Sequence, residues 1–433
     1  MHVWSRTAKI ATTASIALAT LSATGAAAGA ASVTPAAARA AAVRPVAAAS
    51  SPWNQTDYNA ALSRANLTEQ TLTAATVGNA RYLRSVASPP PPINGFCNDV
   101  PDQGVVAPSL TGGALYAMTD GHLTKYDAAT GAIVWRHNPD PTFSQTYQSL
   151  AVAGGLVVVG ALNCGSVSEP QGTIWAFNAS TGARVWTKRV PRQGNLQALV
   201  VSNGLVVAAG SSDGSGVVVT VRKLSTGANV WTRSGGADCA YFPFPLMVVD
   251  QRVISPGTCA QTPRIVGRDL TTGATLWQRI GNFTPLRGDS DSTTGRHVFA
   301  LTPGGTVVSL DPLTGKTQYS IAGAANILAV DGSQAYGACG GGQNLQVCAY
   351  DSATGTLKWQ ASPEIFSEPT LAAEAAGVLY LAEGYALDTS TGNTLTALWD
   401  PFDLLSTSLA VGDGRVAAVL DPRVVDLYGL PGS

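Results

Sequence analysis

The acidic side chains of one short run are the first candidates for chemistry. Asp289 and Asp291 lie on either side of Ser290, within the run that starts at Arg287 and ends at Ser292. Carboxylate oxygens are preferred ligands of Ca²⁺, so this run is a candidate calcium site. The same composition is also typical of a solvated loop, and the metal at this position stays unassigned.

A second set of side chains has the mixed character of a small-ligand pocket. Gln148, Gln197, Asp289 and Asn326 are assigned to one position of the repeat described below, and aromatic residues lie in the connections close to it. Pockets combine apolar walls with a few polar groups, so a pocket is predicted where these residues meet. The aromatic residues have an alternative role, which is to cap the inner ends of strands. The predicted ligand-binding residues are Tyr147, Gln148, Gln197, Phe242, Phe244, Asp289, Asn326 and Glu368.

No catalytic residue is predicted. The sequence contains no His-Glu-x-x-His motif, which would bind zinc on a helix. It also contains no Cys-x-x-Cys pair, and its histidines are scattered, so a zinc site is not indicated. Glycoside hydrolysis needs only two carboxylates, but no pair of acids stands out as the candidate.

The elements that must position these residues are set by a repeated phrase. It consists of Asp or a polar residue, then Thr-Gly, then an aromatic residue four positions after the glycine. The glycines recur every 37 to 51 residues, and a period of this size is typical of propeller blades. The copies are Thr130-Gly131 with Trp135, Thr181-Gly182 with Trp186, Thr226-Gly227 with Trp231, Thr272-Gly273 with Trp277, Thr314-Gly315 with Tyr319, Thr354-Gly355 with Trp359, and Thr391-Gly392 without an aromatic residue.

Each copy predicts an antiparallel hairpin, because glycine accepts the positive φ of a tight reversal. Two apolar strands precede each hairpin, so a unit has four antiparallel strands and forms one blade. Seven units end in Thr-Gly hairpins, and an eighth has three strands, the last from Val424 to Tyr428. Residues Tyr82 to Val86 can supply its fourth strand and so remove an open sheet edge. The sequence therefore predicts an all-β, eight-bladed propeller, with seven blades as the alternative.

The repeated phrase resembles the quinoprotein-type (PQQ-like) β-propeller repeat, over roughly Trp53 to Tyr428. Members of that family include pyrroloquinoline-quinone alcohol dehydrogenases and non-enzymatic propellers such as an outer-membrane assembly lipoprotein of Gram-negative bacteria. The resemblance implies the fold and leaves both activities open. The cofactor-bearing members typically have an adjacent cysteine pair, and this sequence has none. We therefore expect no cofactor, with PQQ and calcium as the alternative.

Six cysteines in an exported chain favour three disulfides. In the blade order, all six fall in second-to-third loops or in connections between blades, which share one face of the ring. This placement predicts the pairs Cys339–Cys348, Cys239–Cys259 and, by elimination, Cys97–Cys164.

Residues 1–31 have the pattern of a secretory signal peptide, with a basic start, an apolar core and small residues at the exit. Residues 32–52 are rich in Ala and Pro and are predicted to be a linker, and residues 53–433 form the propeller. Charged residues make up 12% and the net charge is −1, so no nucleic-acid-binding surface is indicated. No transmembrane segment is predicted in the mature chain.

These observations favour a secreted, extracellular bacterial protein that binds a partner and does not catalyse a reaction. The predicted recognition surface is the disulfide-bearing face, and the partner is a protein, a peptide or a cell-wall component. We expect a monomer. The alternative function is that of a quinone- and calcium-dependent oxidoreductase, namely a PQQ-type dehydrogenase.

Overall fold

A computed structural model describes residues 52–87, 106–119, 122–139, 145–163, 172–190, 195–212, 216–234, 245–259, 262–289, 296–340, 346–363, 371–400, 406–421 and 423–433. These residues form eight antiparallel sheets, and each sheet contains four strands in simple up-and-down order. One sheet carries in addition the short strand Ala65–Asn66, which pairs in parallel with Ala372–Ala375. The eight sheets are the blades of an eight-bladed propeller, as the repeat predicted. A turn of 3-10 helix covers Val77–Asn79.

The blades are numbered from the first complete sheet, and their strands from the centre of the ring outward. Blades 1 to 4 are Val106–Thr111, Ala114–Thr119, His122–Asp127 and Ile133–His137; Gln145–Ala153, Leu156–Asn163, Thr173–Asn178 and Arg184–Arg189; Asn195–Ser202, Leu205–Ser212, Gly216–Lys223 and Asn229–Ser234; Met247–Val249, Arg252–Cys259, Thr262–Asp269 and Thr275–Ile280. Blades 5 to 8 are Thr284–Asp289, His297–Leu301, Val307–Leu310 and Thr317–Ile321; Ala329–Val330, Gln334–Cys339, Gln346–Asp351 and Leu357–Ala361; Ala372–Ala375, Val378–Leu381, Tyr385–Asp388 and Thr394–Ala397; Leu409–Gly412, Arg415–Asp421, Val424–Gly429 and Arg81–Ala87.

The ring is closed by the strand that precedes blade 1 in the sequence. Arg81–Ala87 pairs antiparallel with Val424–Gly429, so that Tyr82 lies opposite Tyr428. The predicted closure is confirmed, and the seven-blade alternative is wrong. Closure gives the third strand of blade 8 a partner, which removes an edge that would otherwise be open to pairing with another chain.

The Thr-Gly phrase forms the turn between the third and fourth strands. In blade 1 the Asp127 carboxylate accepts hydrogen bonds from the backbone N–H and the hydroxyl of Thr130. These bonds hold the pKa of Asp127 below its usual value. Gly131 has φ of 74°, a conformation that costs glycine little because it has no Cβ. The phrase is therefore a local turn: the Asp carboxylate bonds to the Thr, and the Gly adopts the positive φ of the reversal.

The core lies between neighbouring blades, where the faces of two sheets meet. Val158 and Ala176 of blade 2, for example, pack in one buried cluster with Leu199 and Val206 of blade 3. Burying an aliphatic side chain of this size contributes about 1.5–3 kcal/mol, so every blade depends on its neighbours. Within the described part of the chain, no helix has the length and apolar character that crossing a membrane would require.

Candidate functional site

The centre of the ring is occupied by residues 53–66, which we call the axial segment. This segment contacts the first strands of the eight blades one after another, in their chain order. The contacts are Trp53 with Leu110 of blade 1, Gln55 with Ala151 of blade 2 and Val201 of blade 3, Ala60 with Val248 of blade 4, Ala61 with Gly288 of blade 5, Ser63 with Val330 of blade 6, Ala65 with Glu374 of blade 7, and Asn66 with Val411 of blade 8. A single segment thus joins all eight inner edges.

The axial segment lies at one end of the channel. Its contacts fall on the last residues of the first strands, such as Leu110 in Val106–Thr111 and Val411 in Leu409–Gly412. These residues adjoin the turns between first and second strands, which share one end of an antiparallel blade with the Thr-Gly turns. We call this the turn end. The opposite end, with the second-to-third loops and the connections between blades, is the loop end.

A partly buried ion cluster stabilises the axial segment. Arg64 Nε donates to Asp57 Oδ1, and Arg287 Nη1 lies 3.7 Å from Asp57 Oδ2. Burial alone would raise the pKa of Asp57, but the positive charges of Arg64 and Arg287 hold that pKa below its usual value. Burial, together with the charge of Arg64, lowers the pKa of Arg287 to about 10. The three groups carry one excess positive charge at the centre of the ring.

The backbone of the axial segment is strained. Asp57, Tyr58, Leu62 and Arg64 have φ of 57°, 76°, 59° and 51°, in the left-handed region that favours glycine. Each such residue costs on the order of 1–3 kcal/mol and persists only where its surroundings fix it. The side chain of Asn59 helps to do so, since its Oδ1 accepts from the backbone N–H of Ala61 and of Ser63.

The two predicted glutamines lie in the first strands of neighbouring blades. The register of blade 2 shifts between Tyr147 and Ser149, and that of blade 3 shifts between Leu196 and Ala198. Gln148 and Gln197 are therefore the extra residues of two equivalent β-bulges, which re-aim a side chain. The Gln197 Oε1 atom is buried and has no hydrogen-bond partner among the described residues.

Asp289 does not share the repeat position of these glutamines. Gln148 and Gln197 come four residues before Val152 and Val201, whose N–H groups face the axial segment, and Asn326 stands in the same relation to Val330. Asp289, by contrast, directly follows the corresponding residue of blade 5, Gly288, and it is buried near the turn end. The assignment of all four to one position is therefore corrected: blade 5 meets the axial segment in a register that the repeat alone did not reveal.

Asn326 has a structural task at the start of blade 6. Its Oδ1 accepts a hydrogen bond of 2.9 Å from the backbone N–H of Ala338. Several other predicted residues fall outside the described ones. These are Phe242, Phe244, Asp291, Glu368, Cys97, Cys164 and Cys239, together with the side chains of Tyr147, Gln148 and Cys259. Among the residues that the structure describes, no group of three or more His, Cys, Asp or Glu side chains is arranged to hold a metal ion.

One disulfide is placed at the loop end. Cys339 ends the second strand of blade 6, and it is bonded to Cys348 in the third strand with a Cα–Cα distance of 5.9 Å. The pairing across this hairpin is the one that the sequence predicted. The bond ties the base of a second-to-third loop at the end of the ring opposite the axial segment.

A buried acid that sequence reasoning missed lies between blades 6 and 7. Glu374 is 3% exposed, and only one of its oxygens has a partner in the described chain, the N–H of Gly377. Burial, reinforced by the nearby Asp331 carboxylate, raises the pKa of Glu374 to about 8. Its position in an otherwise apolar first strand, Ala372–Ala375, is the signal that could have identified it.

The family comparison agrees with the repeat. The family model described as "Outer membrane protein assembly factor BamB" matches residues 59–240 and 261–400. No curated protein sequence shows a significant match to the chain.

Solved structures of similar fold include two dehydrogenases and BamB. Quinohemoprotein alcohol dehydrogenase from Comamonas testosteroni has a TM-score of 0.62 at 13% identity, over 88% of this chain and 81% of that one. BamB from Moraxella catarrhalis has a TM-score of 0.54 at 18% identity, over 81% and 99%. A europium-containing methanol dehydrogenase has a TM-score of 0.55 at 15% identity, over 85% and 89%. At these identities the similarity to the solved structures concerns the fold alone. The family model, in contrast, spans most of the chain, so this protein belongs to the PQQ-like β-propeller family whose model is described as BamB.

Proposed function

We propose that this chain is an exported bacterial binding protein without catalytic activity, and that it recognises another protein with its loop end. The observation that carries the proposal is the axial segment. It fills the place where the inner edges of eight blades converge, and its backbone is hydrogen-bonded to the first strands of several of them.

One acid of the axial segment, Asp57, and one acid that follows it, Glu69, already have partners within the chain. The Asp57 carboxylate lies between the guanidinium groups of Arg64 and Arg287. Glu69 accepts hydrogen bonds from the backbone N–H of Thr71, at 2.7 Å, and of Gly414, at 3.1 Å. A carboxylate that is already satisfied by cations or N–H donors is poorly suited to act as a general base.

The loop end has the properties of a recognition surface. Loops on a rigid scaffold are where binding residues concentrate. The Cys339–Cys348 bond fixes one of these loops at its base, and disulfides persist in oxidising compartments outside the cytoplasm. The name of the matching family, an assembly factor, supports a protein as the partner. A peptide or a cell-wall component belongs to the wider class that the sequence predicts.

The competing function is a PQQ- and calcium-dependent dehydrogenase, which the similarity to quinohemoprotein alcohol dehydrogenase favours. Calcium requires six to eight oxygen ligands that are open to the ion. The carboxylates of Asp57 and Glu69 do not fit this need, because both are engaged by donors of the chain. No reaction step is therefore derived through the quinone or the metal.

An activity assay separates the two functions. The purified chain is incubated with calcium and PQQ and is then assayed for a bound chromophore and for dye-linked oxidation of primary alcohols. We expect neither signal. Reproducible turnover above that of the heat-denatured protein would refute the proposal.

Site-directed photo-crosslinking tests the loop end as the binding surface. A photo-reactive amino acid replaces Gln346, which lies beside the disulfide hairpin, and in a control variant it replaces Thr354 in a Thr-Gly turn. In medium from the producing bacterium, we expect one protein to be crosslinked at position 346 and not at 354. Crosslinking at position 354 alone would assign recognition to the turn end and contradict the proposal.

A further inference from the structure

A cavity of about 400 Å³ lies at the turn end, between the axial segment and blades 3 and 4. Asn54 and Tyr58 of the axial segment form one side. The opposite side is formed by Asn203 of blade 3 and by Asp250 and Gln251 of blade 4. The volume is in the range of small-molecule binding sites, and the cavity is separate from the loop end to which partner recognition was assigned.

The lining groups are polar, and their charges cancel. Arg296 also lines the cavity, and its guanidinium group forms an ion pair with the Asp250 carboxylate. The side-chain amides of Asn54, Asn203 and Gln251 have no hydrogen-bond partners among the described residues, and each amide offers two N–H donors and a carbonyl acceptor. The ring of Tyr58 is held against Trp53, with centroids 5.2 Å apart. The wall thus combines donors, acceptors and an aromatic ring without net charge.

Gln251 occupies a backbone position at which other blades have glycine. The turn between the first and second strands has two residues in six blades, and its second residue is Gly113, Gly155, Gly204, Gln251, Gly377 or Gly414. Gln251 has φ of 62°, in the region that favours glycine. Blade 4 therefore accepts strain at this turn and gains a side chain that reaches the cavity.

Tyr58 repeats the pattern on the opposite wall. Its φ is 76°, and it too lines the cavity. Asn203 and Asp250 also have positive φ, but these residue types tolerate it in tight turns. Strained residues that persist in a structure are concentrated at ligand-binding sites, so strain in Tyr58 and Gln251 at one cavity points to binding there.

We propose that this cavity binds an uncharged sugar unit. Sugar hydroxyls both donate and accept hydrogen bonds, which matches the three amides and the Asp250–Arg296 pair. The apolar face of a sugar ring can pack on the Tyr58 ring. A charged ligand finds no excess charge in the wall, and an apolar ligand would leave the amides unpaired, which is costly.

Ligand titration of the full propeller tests this site. Saturation-transfer NMR is performed with glucose, galactose and N-acetylglucosamine as sugar probes, and with N-acetyl-dialanine amide as a peptide probe. We expect at least one sugar to bind with a Kd of about 1 mM or tighter. The absence of saturable sugar binding, or preferential binding of the peptide probe, would overturn the proposal.

The variant Gln251→Gly separates binding from folding. We expect about fivefold to tenfold weaker sugar binding, as for the loss of one hydrogen-bonding amide, with an unchanged or higher Tm because the turn is no longer strained. Ala376→Gly relieves the same kind of turn in blade 7, where φ is 52°, and should preserve the affinity. Asn54→Ala is the second binding variant. Unchanged affinity in both binding variants would refute the site.

Discussion

The indole N–H of Trp231, on the fourth strand of blade 3, donates a hydrogen bond of 2.8 Å to the carbonyl oxygen of Leu270 in blade 4. Leu270 directly follows Asp269, the first residue of the next Thr-Gly turn, and a Cβ added to Gly273 would lie 2.6 Å from Trp231 Cδ2. The same arrangement joins Trp186 to Leu224. The fixed spacing of Thr-Gly and Trp therefore reflects docking between blades: the aromatic residue of one blade fits the glycine turn of the next.

Gly273→Ala should destabilise the protein by more than the cost of its backbone conformation. Gly155→Ala is the matched control, because Gly155 also has positive φ but no atom within 4 Å of an added Cβ. The control should lose about 1–2 kcal/mol of unfolding free energy from left-handed strain. Gly273→Ala should lose about 1–3 kcal/mol more, from the clash with Trp231. Urea denaturation measures both, and equal losses would show that the indole contact is unimportant.

Asp57→Asn should destabilise the axial segment, because it leaves the largely shielded guanidinium groups of Arg64 and Arg287, whose side chains are 15% and 12% exposed, without a counter-charge. We expect the unfolding free energy at pH 7 to fall by about 3–5 kcal/mol. Asp421→Asn is the control. Asp421 is exposed, so this substitution should change the unfolding free energy by less than about 0.5 kcal/mol.

The effect of Asp57→Asn should depend on pH. The pKa of Asp57 is lowered in the folded state, so its stabilisation is present above the unfolded value of about 3.9 and is lost as the pH falls through the folded pKa. The unfolding free energies of the wild type and the variant should therefore converge on acidification. A difference that stays constant from pH 7 down to acid unfolding would contradict an ionised, stabilising Asp57.

Glu374→Gln should make the protein more stable at alkaline pH. The folded-state pKa of Glu374 is raised to about 8, so the folded state retains a proton that the unfolded state releases above about pH 4.3. Wild-type stability should then fall as the pH rises from the unfolded pKa to the folded one, because ionisation is opposed by burial and by Asp331. The neutral glutamine avoids this loss. Thermal unfolding should give similar Tm values at pH 5 and a higher Tm for the variant at pH 9; a constant difference would contradict the raised pKa.

Non-reducing peptide mapping should identify the remaining disulfides. We expect a Cys339–Cys348 peptide, in agreement with the structure, together with Cys239–Cys259 and Cys97–Cys164. A reduced and alkylated sample is the control, and each linked peptide should disappear from it. Cys239 joined to Cys97 or Cys164 would refute the predicted pairing.

The sequence predicted the repeating part of the fold because that part is encoded locally and several times. Thr130 and Gly131 both donate backbone hydrogen bonds to Asp127, within a stretch of five residues. The turn can therefore be recognised without knowledge of the rest of the chain. The closing strand was predicted at Tyr82 to Val86 and extends over Arg81–Ala87. This strand was predicted because the third strand of blade 8 would otherwise have had no fourth strand to pair with.

The axial segment could not be predicted in the same way, since it occurs once and has no internal repeat. Asn66 donates to the carbonyl oxygen of Val411, 345 residues later in the sequence. Asp57 lies close to Arg287 only because the axial segment contacts the first strand of blade 5. The sequence showed that Asp57 and Arg64 are charged, but not that they pair. The register of Asp289 was misassigned for a related reason, because it depends on how Gly288 meets the axial segment.

By itself, then, the amino-acid sequence determined the blade and the number of blades, because both follow from short-range geometry repeated around a closed ring. It also determined the hairpin disulfide, because Cys339 and Cys348 are only 9 residues apart. The tertiary structure alone decided what occupies the centre of that ring and where Tyr58 and Gln251 come together. Their proximity depends on the path of one unrepeated segment across eight sheets, and that path is fixed by contacts between residues distant in the chain.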